Sequence, residues 1–213
     1  MFQQAFRDAA VAGWSAFNAR CTPDLIAADV NHFGVPLRSR DGSVGFERLV
    51  PRARTGALRR SLSFQHGLGR FPFHSDAAHW LKPPRWVIMW CEESEGERPT
   101  ELLPWNLLRQ TTPDRTPATF LVRNGRRSFF ADVGDIARLD GGCMIAQNPN
   151  AVALLRCATA SSTLRHVFPV VWKPGLVLVI DNHAVLHSRG IAPKTEGPER
   201  RILWRAILAG ATL

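Results

Sequence analysis

The segment from Gly175 to Gly190, GLVLVIDNHAVLHSRG, decides the fold class. It starts with a short apolar run rich in leucine and valine, and the pair Asp181-Asn182 follows at once. An apolar run of this length that ends in turn-forming residues is typical of a buried β-strand. The residues from His183 onward are strand-like again and contain a second histidine, His187. The segment therefore indicates a protein built mainly from β-strands.

Strand-like segments of similar length recur from about residue 44 onward, separated by glycine, proline, asparagine and aspartate. This punctuation is typical of proteins built from many short strands. The nine candidates are residues 61–66, 71–78, 84–91, 119–123, 127–132, 151–157, 166–171, 175–180 and 200–209. We expect the proline-rich stretch 104–118 to be a connection over the active-site region.

Two helices are expected before the strands. Residues 2–19 carry apolar side chains at intervals of three and four, which is the spacing of one helical face. A second helix is expected to begin with Thr22 as its N-cap and Pro23 at its first position. Its apolar spacing ends at Gly34, a suitable C-cap residue.

We therefore predict a mainly β protein with flanking helices, in which the strands form an antiparallel sandwich or jelly roll. A length of 213 residues suits one domain. The predicted division of residues 1–213 is a helical N-terminal flank over 1–43 and a jelly-roll core over 44–213.

The composition is that of a globular protein with a core, since 45% of the residues are hydrophobic and 21% are charged. We find neither a membrane-spanning run nor a signal peptide, and expect a cytoplasmic location.

The formal net charge is +9, but the basic residues are spread along the chain, with one loose cluster over residues 48–60. This distribution disfavours nucleic-acid binding and favours an anionic substrate or an acidic partner protein.

His74 and Asp76 form an HxD pair. On a strand, both side chains point to one face and offer an imidazole and a carboxylate to the same metal ion. The pair alone is weak evidence, because a chain of this composition is expected to contain about 0.3 HxD pairs by chance. Either His183 or His187 offers a third ligand, and two histidines with one carboxylate make the facial triad of non-haem Fe(II) enzymes.

The last predicted strand, residues 200–209, places Arg201 and Arg205 on one face. An inward-facing guanidinium is costly unless it meets an anion. A dicarboxylic cosubstrate is a suitable anion, because a carboxylate accepts two parallel hydrogen bonds from a guanidinium.

Four segments in order carry a resemblance to a known family: FHSDAAHW followed by PPRW, EGERPTEL, VIDNHAVLHSRG and ERRILWRAIL. Together they resemble the Fe(II)/2-oxoglutarate-dependent dioxygenases of the taurine dioxygenase and clavaminate synthase type, over about residues 61–208. The resemblance implies a double-stranded β-helix, which is a distorted jelly roll. It also implies Fe(II) and 2-oxoglutarate as cofactor and cosubstrate, with O2 as the oxidant.

The resemblance assigns an iron site to two histidines and one aspartate. The implied ligands are His74, Asp76 and His187, with His187 preferred to His183 because it takes the distal position of the family's LHxR segment. Arg201 matches the arginine that binds the distal carboxylate of 2-oxoglutarate.

Two further assignments follow from the resemblance. Thr100, in EGERPTEL, matches a threonine that assists the same carboxylate, but the paired glycines common before it are missing here. Arg205 matches a second arginine, which the family uses for the cosubstrate or for a substrate anion.

The span from His74 to His187 is short for this family. The resemblance therefore implies a reduced substrate cover, formed by residues 104–118 and the flank before His74. An open pocket of this kind suits a bulky or carrier-bound substrate, or completion by a partner subunit.

The predicted function is hydroxylation of a C–H bond in an amino-acid-like or other small metabolite, in a biosynthetic pathway. An acidic carrier protein is a candidate partner. One alternative is a taurine-type sulfonate dioxygenase, in which Arg205 holds the sulfonate. Others are a jelly-roll protein that binds a metal or a small acid without turnover, and a nucleic-acid demethylase with the same chemistry.

Overall fold

The computed structural model describes residues 1–19, 22–38, 45–57, 59, 61–95, 98–111, 116–191 and 200–209. The α-helices in these ranges are α1 (Phe2–Ala12), α2 (Pro23–Val30), α3 (Leu62–His66), α4 (Trp105–Gln110), α5 (Pro149–Cys157) and α6 (Ser161–Leu164). The strands are β1 (Trp14–Asn18), β2 (Val35–Pro36), β3 (Glu47–Leu49), β4 (Trp86–Glu95), β5 (Thr100–Pro104), β6 (Ala118–Asn124), β7 (Arg127–Val133), β8 (Met144–Ala146), β9 (Phe168–Val170), β10 (Leu176–Asp181), β11 (Val185–Arg189) and β12 (Arg200–Ala209).

The largest sheet is built around the strand that the sequence indicated first, β10. Its strand order is β1-β10-β4-β12-β2, with β3 also pairing to β12, and all of these pairs are antiparallel. Helices α1 and α2 cover one face of β4 and β10, and residues of β5 and β11 pack against the other face. Burial on both faces explains why these central strands are continuous apolar runs rather than alternating ones.

Two smaller antiparallel sheets complete the β structure in the described part of the chain. The sheet β11-β5-β9 faces the large sheet across a shared apolar cluster that includes Leu102, Leu178 and Val185. The sheet β7-β6-β8 packs with α4 and α5 in a second cluster around Phe120 and Leu154. Opposed antiparallel sheets of this kind make a jelly roll, and the prediction of a mainly β protein with helices is confirmed.

Helix α1 ends earlier than its apolar spacing predicts. Gly13 adopts a left-handed conformation with φ of +91°, and its N–H donates to the carbonyl of Ala9 at 2.8 Å. Glycine adopts this conformation without steric cost and ends the helix there. The next residues form β1, whose backbone pairs with β10. The predicted helix over residues 2–19 is therefore wrong beyond residue 12.

Helix α2 begins as the sequence predicts. The side chain of Thr22 accepts a hydrogen bond from the N–H of Leu25 at 3.5 Å, and Pro23 is the first helical residue. The predicted C-cap at Gly34 is wrong, because the helix ends at Val30 with Asn31 as its C-cap and a turn follows up to Gly34.

Two of the predicted strands are helices. Residues 61–66 contain α3, whose N-cap Ser61 accepts a hydrogen bond from the N–H of Phe64 at 3.1 Å. Residues 151–157 belong to α5, whose N-cap Asn148 accepts from the N–H of Ala151 at 2.9 Å. In both segments a capping side chain satisfies an N–H group of the first turn, and this local signal outweighs the short apolar pattern.

Residues 71–78 do not form a continuous strand either, because only His74 makes a β-bridge and a turn begins at Asp76. The six remaining predicted strands are confirmed, with small shifts at their ends. No helix among the described residues is long and apolar enough to cross a membrane.

Candidate metal centre and cosubstrate pocket

A single antiparallel β-bridge brings His74 next to His187. The N–H of each residue donates to the carbonyl of the other at 2.9 Å. His187 lies on β11, where it also pairs with Leu102 of β5. Directly opposed residues of an antiparallel pair carry their side chains on the same face. The two imidazole centroids consequently lie 4.5 Å apart.

Asp76 completes a compact group of three metal-binding side chains. One donor atom from each of His74, Asp76 and His187 lies within 4.8 Å of the other two. The three residues are only 6–7% exposed. The structure therefore brings together the three residues that the sequence analysis selected as ligands.

Both imidazoles suit metal binding in their neutral form. Nδ1 of His74 lies 3.0 Å from the carbonyl oxygen of Pro72. A carbonyl only accepts, so Nδ1 carries a proton and Nε2 is the nitrogen that can bind a metal. Burial, with a further contribution from His74, lowers the pKa of His187 to about 3, although Asp76 acts in the opposite direction. Its imidazole is therefore neutral near pH 7, as a metal ligand must be.

Asn182 holds the backbone of Asp76 in place from both sides. Its Oδ1 accepts from the Asp76 N–H at 2.8 Å, and its Nδ2 donates to the Asp76 carbonyl at 3.0 Å. Nδ2 also donates to the carbonyl of Pro84 at 2.8 Å. The side chain is fully buried, so the amide links the turn after β10 to the segment that carries two of the ligands. Its position after an apolar strand predicts a turn residue, and no sequence motif indicates this function.

The turn that follows Asp76 has an uncommon backbone. Ala77 has φ of +54°, in the left-handed region that non-glycine residues rarely adopt. Buried Arg138 supports the turn, because it donates to the carbonyls of Ala78 at 3.0 Å and Trp80 at 2.5 Å. Strained conformations of this kind persist where the surrounding structure fixes them, and they cluster at functional sites.

The carboxylate of Asp76 also contacts a cation. Arg205 donates to Oδ1 of Asp76 at 2.6 Å and to Oε2 of Glu47 at 2.6 Å. Burial lowers the pKa of Arg205, but the two carboxylates raise it by more, and the net shift is upward. Arg205 therefore lies beside the triad, as expected, with its guanidinium between two carboxylates. Its predicted contact with a cosubstrate or a substrate anion stays a prediction.

Arg189 anchors the loop that leads to His74. Its guanidinium donates to the carbonyls of Gly67 and Gly69, and it lies 3.7 Å from the ring centroid of Phe71. The N–H of Phe71 in turn donates to the Arg189 carbonyl at 3.0 Å. The arginine two residues after His187 thus ties β11 to the segment that carries the other ligands.

His183 is not part of the triad. Its Nε2 lies 2.9 Å from the carbonyl oxygen of Pro83, and its N–H donates to Asp181 at 3.0 Å. These contacts hold the turn between β10 and β11. Of the two histidines that the spacing left open, only His187 joins His74 and Asp76.

The three candidate ligands lie in the wall of a cavity of about 910 Å³. Strand β12 lines it with alternate residues, Arg201, Leu203, Arg205 and Ile207, which is the face that the sequence pattern predicts. Thr100 of β5 lines it as well. All six residues selected from the sequence as iron or cosubstrate ligands therefore surround one cavity.

Arg201 and Thr100 are both buried at the cavity wall. Arg201 donates to the carbonyl of Arg98 at 3.3 Å. The hydroxyl of Thr100 accepts from the indole N–H of Trp172 at 2.9 Å. Because the hydroxyl acts as an acceptor there, its own hydrogen is left to donate to a bound anion. Their binding of 2-oxoglutarate stays a prediction.

The cover of the cavity differs from the expectation. None of the described residues between 104 and 118 lines the cavity. Helix α4 instead packs into the core through Trp105 and Leu108. The flank before His74 does line it, through Arg59 and α3. The tip of the β6–β7 hairpin lines it too, and no sequence motif indicated that.

Solved structures with the same fold support the sequence resemblance. An asparagine oxygenase in complex with Fe(II), (2S,3S)-3-hydroxyasparagine and succinate has a TM-score of 0.66 and 14% identity, over 97% of this chain and 77% of that one. OrfP, a non-heme iron oxygenase in complex with Fe and α-ketoglutaric acid, has a TM-score of 0.66 and 17% identity, over 97% and 78%. PvcB from Pseudomonas aeruginosa has a TM-score of 0.64 and 17% identity, over 97% and 79%.

No protein-family model matches the chain, and no curated protein matches its sequence. The structural likeness shows the fold, and it confirms the predicted double-stranded β-helix. This is the fold of the iron and 2-oxoglutarate oxygenases of the taurine dioxygenase and clavaminate synthase type, and the present chain carries a His-Asp-His triad on it.

We expect Asn182→Ala to lower the free energy of unfolding by about 2–4 kcal/mol, because it leaves buried N–H and C=O groups of Asp76 and Pro84 without partners. Urea denaturation followed by tryptophan fluorescence measures this change. Asn31→Ala is a suitable control, since Asn31 is exposed at the end of α2, and we expect a change below about 1 kcal/mol. Equal effects of the two substitutions would contradict the role of Asn182.

Proposed function

We propose that the protein is a non-haem Fe(II) and 2-oxoglutarate-dependent oxygenase that hydroxylates a C–H bond of an amino-acid-like substrate. The observation that carries the proposal is the buried group of two imidazoles and one carboxylate, with donor atoms within 4.8 Å, at the wall of a large cavity. The cavity belongs to a fold whose solved examples contain Fe and 2-oxoglutarate or succinate.

The donor set fits Fe(II). Two neutral imidazoles and one carboxylate on one side of an ion leave adjacent positions open for a cosubstrate and dioxygen. When bound, the iron supplies the oxidative chemistry, and the protein supplies binding, orientation and exclusion of side reactions. His74, Asp76 and His187 would hold the ion, and the hydrogen bonds with Pro72, Asn182 and Arg205 fix the orientation of two of these ligands.

Arg201 and Thr100 are suited to hold the distal carboxylate of 2-oxoglutarate. Arg201 stands on the same face of β12 as Arg205, and Thr100 lies on the opposed sheet. A guanidinium and a hydroxyl can together donate to a carboxylate, and the low polarity of a buried site strengthens these bonds. Anchoring at this end would direct the other end of the cosubstrate to the triad.

Charged groups of both signs at the cavity support an amino-acid-like substrate. Arg59 and Arg123 are exposed cations at the cavity, and Asp140 supplies a carboxylate. Polar groups placed in a binding pocket fix the orientation of a small ligand, and these groups match the two charges of an amino acid. The asparagine oxygenase and OrfP structures contain hydroxylated asparagine and arginine. A carrier-bound form of the substrate, a biosynthetic role and a cytoplasmic location stay predictions from the sequence.

The position of Arg205 disfavours the sulfonate alternative. Its guanidinium already donates to Asp76 and Glu47 at 2.6 Å each. A substrate sulfonate would have to displace one of these carboxylates, and exchanging one charged partner for another gains little.

Anaerobic titration with Fe(II) and then 2-oxoglutarate tests the proposed function. We expect a weak charge-transfer band in the visible spectrum of the wild-type protein, from 2-oxoglutarate chelated at an open facial site. His187→Ala should abolish the band. His183→Ala should keep it, because that histidine bonds to the carbonyl of Pro83 outside the triad.

The result for wild-type protein decides between the enzyme and the binding-protein alternative. A folded, metal-loaded protein that shows no band would refute the oxygenase proposal. Loss of the band in both histidine variants would refute the assignment of the third ligand.

Arg201→Ala should raise the Kd for 2-oxoglutarate about 30-fold or more at saturating Fe(II), because truncating one member of a buried charge pair costs about 2 kcal/mol or more. Arg200→Ala serves as the matched control, since Arg200 is exposed and pairs weakly with Glu95 at 3.7 Å. We expect that control to change the Kd by less than about twofold. An unchanged Kd in Arg201→Ala would remove Arg201 from the cosubstrate site.

Succinate release tests the proposed substrate class. With Fe(II), 2-oxoglutarate and O2 present, at least one L-α-amino acid should raise succinate release above the substrate-free rate, and taurine should not. Arg123→Ala should raise the KM for that amino acid more than it lowers kcat, since a rim cation contributes binding rather than chemistry. Stimulation by taurine alone would favour the sulfonate alternative.

A further inference from the structure

Glu47 lies in the described wall of the cavity but belongs to none of the motifs that indicated the site. It is on β3, directly opposite Arg205 of β12 in the antiparallel register. Opposed residues carry their side chains on one face, and the Glu47 carboxylate accepts from Arg205 at 2.6 Å. The other arm of the same guanidinium donates to Asp76 at 2.6 Å. The three side chains form a continuous array, Glu47-Arg205-Asp76.

The array is largely removed from water. The exposed fractions are 20% for the Glu47 side chain, 22% for Arg205 and 8% for Asp76. Charges in such a place interact more strongly than they do on the surface, because the surrounding medium screens them less. The net charge of the array therefore affects any divalent cation that binds to Asp76.

The charges of the array balance in a specific way. One guanidinium and two carboxylates give a net charge of −1, which is the charge of an isolated Asp76. Without Glu47, the charge of Arg205 would cancel that of Asp76, and a divalent cation would meet a neutral site. With Glu47 present, Arg205 can orient Asp76 through a strong hydrogen bond without reducing the attraction for the cation.

We propose that Glu47 is a positioning residue that offsets the charge of Arg205, so that Arg205 can orient the metal ligand Asp76 without weakening its attraction for a divalent cation. The inference rests on the proposed function, because it assumes that Asp76 binds a divalent cation. It also assigns a role to Arg205. The guanidinium binds the Asp76 carboxylate, and its contact with Glu47 prevents it from binding anions in the cavity.

Glu47→Gln tests the proposal with little change of shape, because the amide oxygen still accepts from Arg205. We expect the Kd for Co(II), measured by calorimetry without cosubstrate, to rise about 10- to 100-fold, as is usual when a residue behind a ligand is altered. At saturating Fe(II), the Kd for 2-oxoglutarate should fall, because the cavity gains one unit of positive charge. A merely structural role would weaken both binding steps together.

Two further variants sharpen the test. Glu95→Gln removes a carboxylate from the same sheet, but Glu95 is 64% exposed and pairs with Arg200, so Co(II) binding should not change. The double variant Glu47→Gln with Arg205→Gln should recover most of the Co(II) affinity of wild type. It removes the uncompensated cation, and the amide introduced by Arg205→Gln can still donate to Asp76. A structural role predicts a further loss instead.

The outcomes separate this proposal from the proposed function. Absence of metal binding and of the charge-transfer band in wild type would refute the oxygenase. Normal wild-type behaviour with unchanged Co(II) affinity in Glu47→Gln would refute only the role of Glu47. Loss of Co(II) affinity in Glu47→Gln that the double variant does not restore would also refute it.

Discussion

Two backbone hydrogen bonds between His74 and His187 are the constraint on which the rest of the site depends. They join segments that are far apart in the sequence, and they set the spacing of the two imidazoles. The bridge can form only where β11 lies with one edge on β5 and the other edge beside the segment before Asp76. The burial of β4 and β10 between helices and the smaller sheet holds that arrangement. Core packing and the geometry of the His-Asp-His triad are thus parts of one structure.

Around this bridge, several buried hydrogen bonds favour one arrangement of the chain. Asn182 satisfies both backbone groups of Asp76, Pro72 fixes the tautomer of His74, and Arg138 holds the strained turn at Ala77. Hydrogen bonds between buried polar groups make a structure rigid. His74 and Asp76, two of the three candidate ligands, are therefore oriented in advance of ion binding. Preorganisation of this kind limits the ordering that binding would otherwise require.

Local sequence signals fail to predict the secondary structure of two segments. Residues 151–157 are apolar enough to suggest a strand, but Asn148 and Pro149 begin a helix there. The apolar spacing of residues 2–19 fits one helix, but Gly13 ends it and pairing with β10 takes the chain into the sheet. The roles of Asn182 and Glu47 could not be predicted, because an asparagine in a turn and a glutamate on a short strand have no distinctive sequence context. Their partners lie at Asp76 and Arg205, far along the chain.

The sequence by itself determined the class of fold and a set of candidate site residues. Apolar runs indicated the central strands, the HxD pair and the later histidines supplied candidate ligands, and alternation along β12 placed Arg201 and Arg205 on one face. Spacing alone left His183 and His187 open, the resemblance preferred His187, and the tertiary structure places His187 beside His74 and Asp76. Only the tertiary structure gave Arg205 two carboxylate partners. The physical reason is that periodicity is a local property, fixed by backbone geometry within a few residues. The choice of partner depends on distances between distant segments, and those distances exist only after the sheets have packed.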